Sequence, residues 1–446
     1  MKRTIADAFD TLRIIEQDSG THFSVYGPVA PILLICVLRK AISRRIGAQE
    51  NLEAFLEVSS WLNCMTYEIN GSSLESVIDS VSTEAGDEKK SLPGFFRTSI
   101  SAFDEITHKN EKYRDWLDDI FRNIEWDNSF AVFEEAIRLY MGFSLKDIEI
   151  VSNPSISRLA KTLLQVSDGD AFSDFVCGSG LSSSIILGDI QNVYVTLSDR
   201  DINSFALTTI ACFLQNRKNN GKIQDSLSYE NFKPEKLADK IFIDPPFRAK
   251  LDNPFEFDGV QIKEASCAAV MKAVTSLNEG GISVITINSG FTFGSQYAIE
   301  SVRKYLVDNH YLSAVISLPA MLPRLSVLTT VLVVSKRRND NVVMIDLSKK
   351  NNDLSLFVYD RRYQALSFTD EGIETINSIV NNSEIIPGIS SIVDYSTIRG
   401  KDYVLLPGAY IVDEENEKKT VSEIDAKIKE TIGEIQSLLS RLDTLV

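Results

Sequence analysis

From Asn153 to Val334, short apolar runs alternate with stretches of helical spacing, and this alternation constrains the fold more than any other feature. A helix over Ile156–Val166 leads into a strand ending at Phe175-Val176, a glycine turn, and a helix opening near Ser182. The strand Val193–Leu197 and the helix Ala206–Leu214 follow, then the short strand Ile241–Ile243. The helix Ala265–Leu277 is expected to stop at Gly280-Gly281, before the strand Ile282–Ile287, the helix Ala298–Val307 and the strands Leu312–Leu318 and Leu328–Val334. Strand–helix alternation of this kind specifies an α/β fold, a mostly parallel sheet with helices on both faces. In such sheets ligands bind outside the carboxyl ends of the strands.

A chain of 446 residues is long for one core, so further domains are expected around this unit. Residues 1–150 carry helical spacing around Leu52–Leu62 and Phe130–Leu139 and read as an all-helical domain. The α/β domain is placed at 151–345, and 346–446 is a mixed region. At its end Ile428, Ile432, Ile435, Leu439, Leu442 and Val446 repeat as a heptad seam behind the capping box Thr420-x-x-Glu423. That stripe packs either on its own domain or on a partner helix.

The charge is acidic, with 46 Lys and Arg against 62 Asp and Glu, net −16. A protein that grips DNA alone usually carries a basic face, so any nucleic-acid substrate requires local basic patches or a partner. The five cysteines, Cys36, Cys64, Cys177, Cys212 and Cys267, are scattered without a Cys-x-x-Cys pair, and there are three histidines. This argues against a disulfide framework and against a metal centre; it suits a reducing, cytoplasmic setting. Met1–Arg13 is polar and mixed in charge, unlike a secretory leader, and the apolar run Val29–Leu38 is too short to span a bilayer.

Four pieces carry chemistry. Asp174-Phe175-Val176-Cys177-Gly178-Ser179-Gly180 joins a strand to a helix, with Gly178 and Gly180 allowing a tight turn and a close ligand. The sixth position of a G-x-G-x-x-G fingerprint is Ser183, a poor match to a nicotinamide site. Asp199 and Asp201 follow the next strand, where a carboxylate can accept ribose hydroxyls; spacing does not choose between them, although Asp199 ends the apolar alternation. Asp225-Ser226 alone reads as a turn. Asp244-Pro245-Pro246-Phe247 is the sharpest: two prolines make a rigid extended turn without backbone donors, leaving the Asp244 side chain and nearby carbonyls as acceptors, with a ring alongside. Such a cup suits an amine on a planar base.

In this order the four pieces resemble the motifs of amino-methyltransferases: the Asp-x-x-x-Gly-x-Gly cofactor loop, the acidic ribose residue, the Asp-Ser adenine contact and the [Asn/Asp/Ser]-Pro-Pro-aromatic catalytic tetrapeptide. Asn153-Pro154 resembles the segment that packs near the methionine part of the cofactor. Leu277-x-x-Gly280-Gly281, Ile287-Asn288-Ser289-Gly290, Ala314–Pro319 and Asp402-Tyr403-x-Leu405-x-Pro407-x-x-Tyr410 are similar to the modification subunit of type I restriction–modification systems. The resemblance implies a Rossmann-like methyltransferase domain that uses S-adenosylmethionine to methylate the N6 amine of adenine in DNA. It implies Asn153, Pro154, Asp174, Gly178, Gly180, Asp199, Asp201, Asp225 and Ser226 as the cofactor site, and Asp244 to Phe247 as the catalytic cup. It also implies double-stranded DNA bound through a complex, a DNA specificity subunit, a second copy of the chain and, in a full system, a restriction subunit. The family usually has Asn where this chain has Asp244; a carboxylate accepts hydrogen bonds as an amide oxygen does. Other classes remain open at this point: another amine (an RNA base or a protein glutamine), or a non-catalytic scaffold subunit.

Overall fold

The structure, a computed structural model, describes residues 152–411 apart from 248, 322–326, 338, 349–355 and 361–364, with isolated positions at 130–137 and 429. The expected amino-terminal helical domain and the carboxyl-terminal heptad helix lie outside the described residues.

Chain order is α1 (Pro154–Leu164), β1 (Ala171–Asp174), α2 (Leu181–Leu187), β2 (Tyr194–Leu197), α3 (Ile202–Leu214), β3 (Ala238–Ile243), β4 (Lys250–Phe257), β5 (Val260–Glu264), α4 (Ala265–Ser276), β6 (Leu277–Asn288), α5 (Tyr297–Asp308), β7 (Leu312–Ala320), β8 (Leu328–Ser335), β9 (Asn341–Asp346), β10 (Phe357–Asp360), β11 (Ala365–Phe368), α6 (Asp370–Asn382), β12 (Ser390–Asp394) and α7 (Tyr395–Gly400). Eight strands form one sheet in the order β12-β9-β7-β8-β6-β3-β1-β2. Only β8 and β12 run against the rest, since β1–β2, β1–β3, β3–β6 and β7–β9 pair in parallel.

The strands read as unbroken apolar runs because both faces are covered. Successive side chains point to opposite faces: Ile241 and Ile243 join a core with Val270, Met271 and Val274 of α4 and Val302 and Leu306 of α5. Phe242 between them joins the opposite core with Leu159 and Leu163 of α1 and Ile373, Ile376 and Ile379 of α6. The α1 start is set locally: Asn153 caps it by accepting from Ser155 N at 2.8 Å, and Pro154 occupies the first turn, where no backbone donor is missed.

Two expectations need correction. Gly280-Gly281 does not separate α4 from a strand at Ile282; β6 begins at Leu277 and passes through both glycines. Gly280 takes φ +76°, and the β3–β6 register shifts between Ala238 and Lys240, so the pair marks an irregularity inside the strand. The boundary expected at 345 falls inside the α/β unit: β9 continues to Asp346, and β12, from residues 390–394, pairs antiparallel with β9 as the sheet's last strand. The β4–β5 hairpin was not anticipated.

Candidate active site

The chain runs from β1 outward to β2, then returns to β3 on the other side of β1. The strand order therefore reverses between β1 and β3, and the carboxyl ends flanking such a reversal open a crevice. A cavity of about 280 Å³ lies there, lined by the segments after β1, β2 and β3, by Ser152 before α1, by 224–228, and by Lys250, Leu251, Asp252 and Asn253 of the hairpin.

Of the residues singled out in the sequence, Asp174, Gly178, Asp199, Asp201, Asp225, Ser226, Asp244 and Pro246 line this cavity. Asn153, Pro154, Gly180, Pro245 and Phe247 do not. Gly180 instead lets two helices approach: it takes φ +75° at the start of α2, and a Cβ there would stand 2.9 Å from Thr208 Cα of α3. Asn153 is 3% exposed and turned into the fold, donating to Met321 O at 2.6 Å and Leu366 O at 3.0 Å. Its neighbour Ser152 faces the cavity instead.

The acidic groups are held by short local contacts. Asp174 Oδ1 accepts from Val176 N at 3.2 Å and Oδ2 from Ser183 Oγ at 2.7 Å. Burial nonetheless pushes its pKa up from 3.8 to about 7, with a further push from Asp199 and Asp244. Asp199 ties the two loops together, accepting from Gly178 N and from Asp201 N, each at 2.9 Å. Burial raises its pKa too. Asp201 is exposed and caps α3 by accepting from Ser204 N at 2.7 Å. Asp225-Ser226 reaches the cavity because Gln224 N bonds to Asp199 O at 2.9 Å, laying that segment along the end of β2.

Asp244 is half-buried at the end of β3. Burial raises its pKa, and hydroxyls of Ser152 and Thr286 oppose the rise. Neither partner was singled out in the sequence, and Ser183 entered there only as a departure from the dinucleotide fingerprint; a serine before a cap and a threonine inside an apolar strand carry no local signal. Behind the loop, the fully buried Lys272 donates to the carbonyls of Asn231 and Phe232 at 2.8 and 2.7 Å and lies 4.6 Å from the Phe175 ring centre. This supports the aromatic residue that follows Asp174.

A doubly wound sheet with a glycine turn, acidic strand ends and Asp244 meeting at its switch-point crevice has the architecture of the α/β methyltransferase fold. The chain belongs to the N-6 DNA methylase family, whose family model matches residues 149–419, and is thus a DNA methyltransferase of the adenine-N6 kind. It is 25% identical over 423 residues to the type I restriction enzyme MpnII methylase subunit of Mycoplasma pneumoniae, covering 84% of this chain and 76% of that protein. The methyltransferase subunit of a type I restriction-modification system from Streptococcus thermophilus has a similar fold, with TM-score 0.54 at 16% identity, over 87% of this chain and all of that one. A chain from a structure of type I R-M complex assembly and conformational transition gives TM-score 0.63 at 15% identity, over 99% and 97% of the two chains. Among the described residues no helix is long and apolar enough to cross a membrane.

Proposed function

We propose that this chain transfers a methyl group from S-adenosylmethionine to the N6 amine of adenine in double-stranded DNA, as the modification subunit of a type I complex. The observation that carries the reading is the convergence of Asp174, Asp199, Asp225 and Asp244 on one crevice at the strand-order reversal. The donor set fits the cofactor. Asp174, Asp199, Asp201, Asp225, Asp244 and Asp252 line the crevice with Arg200 and Lys250, an acidic excess suited to a ligand that carries a sulfonium and an ammonium.

S-adenosylmethionine supplies the activated methyl group. Gly178 and the neighbouring loop backbone would hold its methionine part beside Asp174. Asp199, oriented by two backbone donors, is the better ribose ligand than Asp201, which is occupied in capping α3. Asp225 and Ser226 border the adenine. Asn153 and Pro154 act indirectly, by fixing the segment that carries Ser152.

A base inside the duplex hides its amine from such a crevice, so the target adenine is flipped out. Phe247, half-buried beside the turn, stacks on it, while Pro246 walls the crevice. The Asp244 carboxylate and the Pro245 carbonyl would accept hydrogen bonds from the two amine hydrogens and orient the nitrogen lone pair; as a nitrogen–methyl bond formed and the sulfur–methyl bond broke, the surplus amine proton would leave to solvent. Positioning and electrostatics then supply the rate. No cysteine nucleophile is called for. Cys177 is buried, within 3.3 Å of Thr208 Oγ1, and burial pushes its thiol pKa well up. The acidic chain leaves DNA grip and sequence choice to a specificity subunit, joined by a second copy of the chain and, in the full system, a restriction subunit. Residues 1–150 are assigned to a helical domain, and the carboxyl-terminal heptad helix to docking.

Labelled methyl transfer tests this. The chain assembled with its partner subunits should place label in DNA as N6-methyladenine. Label appearing only in RNA or protein, or nowhere, would overturn the reading.

A further inference from the structure

Asp244 has two hydroxyl neighbours from distant parts of the chain. Thr286, fully buried within β6, donates its hydroxyl to Asp244 Oδ1. The alternative acceptor, Ile243 O, lies at 3.5 Å, too far to compete for the single proton. Ser152, from the segment preceding α1, lines the same crevice, and its hydroxyl opposes the rise in the carboxyl's pKa. Its neighbour Asn153 fixes that segment, capping α1 and anchoring its amide on Met321 O and Leu366 O.

We propose that Ser152 and Thr286 are positioning residues of the methyl-transfer site: their hydroxyls set the orientation of the Asp244 carboxyl and hold it as an acceptor-only group facing the target amine. The proposal rests on the reading of Asp244 as the amine's acceptor. It follows from the difference between a carboxyl and the amide usual at this position. An amide oxygen is an acceptor at every pH, whereas a carboxyl that takes up a proton gains a donor and loses an acceptor. Enclosure in the crevice favours the protonated form. Asp199, Arg200 and Asp201 after β2, Asp225, and Lys250 and Asp252 of the hairpin share the same cavity. Both hydroxyls oppose protonation, and the Thr286 donor occupies Oδ1, which leaves the carboxyl's remaining lone pairs for the substrate.

The test uses Thr286→Val and Ser152→Ala, each alone and combined with Asp244→Asn. In the assembled methyltransferase, each single variant should move the acid limb of kcat upward by about one pH unit, roughly a tenfold loss below the limb, with little change in KM for the cofactor. Asp244→Asn should lack that limb, and adding either variant to it should move nothing. An activity-independent measurement uses the purified full chain: the protonated-carboxyl infrared band, wild type minus Asp244→Asn, followed against pH. Its midpoint should rise in both single variants. Unmoved midpoint and limb in Ser152→Ala and in Thr286→Val would overturn the proposal; should Thr286→Val fail to fold, Ser152→Ala decides alone. A chain whose midpoint moves but which methylates nothing keeps the coupling of the two hydroxyls to the Asp244 carboxyl and loses both the proposed function and the roles in methyl transfer. A chain that methylates DNA with midpoint and limb unmoved loses only these roles.

Discussion

Ser183 Oγ donates a 2.7 Å hydrogen bond to Asp174 Oδ2 across the glycine turn. The serine stands where a dinucleotide fingerprint would place its third glycine, and it ties the first turn of α2 back to the end of β1. Asp174 remains protonated far above the usual carboxylate range, at about 7, because burial outweighs Ser183 and Val176 N.

This raised value sets the sign of a pH effect. A carboxyl held up in the folded state favours folding fully below its unfolded pKa of 3.8, and that contribution is lost as pH rises through about 7. Wild type minus Asp174→Asn stability should therefore fall between about pH 4 and 8, by at most roughly 4 kcal/mol. Thermal melts of both proteins across this range provide the measurement, and a flat difference would contradict the burial argument.

Asp244→Ala removes the acceptor while leaving the glycine loop and the Asp199 contacts untouched. Methyl transfer in single turnover should drop by about 100-fold or more, in line with losing one preorganised polar group. Calorimetry should find cofactor affinity little changed. Undiminished transfer would remove Asp244 from the chemistry.

Gly180→Ala meets two penalties at once, φ +75° and a Cβ 2.9 Å from both Thr208 Cα and Thr208 Oγ1. Denaturant unfolding should show a loss of about 2–4 kcal/mol. Wild-type stability in this variant would mean that α2 and α3 can separate freely at their contact.

Asn153→Ala deletes a helix cap and leaves two carbonyls, of Met321 and Leu366, without their amide donor. A loss of about 2–3 kcal/mol is expected from unfolding curves. Cofactor affinity should fall less than in Asp199→Ala. The opposite ranking would make Asn153 a direct ligand.

The parallel sheet was legible because strands buried on both faces are written as unbroken runs such as Ile241-Phe242-Ile243 and Val331–Val334. The crevice was legible where one residue type does a distinctive job: an acid ending a strand, a glycine in a turn, two prolines together. Contacts made across the sheet were hidden. Thr286 reads as an ordinary β-branched strand residue, and it meets Asp244 only because β6 pairs with β3. Gly280-Gly281 looked like a helix stop because a bulge and a stop use the same residue. The strand Ser390–Asp394 is short and half-polar, and its partner lies at 341–346, so nothing local announced it.

That late strand has a consequence for how the chain is made. Until residues 390–394 emerge from the ribosome, β9 presents an open row of amides and carbonyls along an otherwise finished sheet. A gene fragment cut at 345 or 389 would leave this rim permanently bare and prone to stick to its own kind. An expression fragment of the α/β unit therefore has to extend past Asp394.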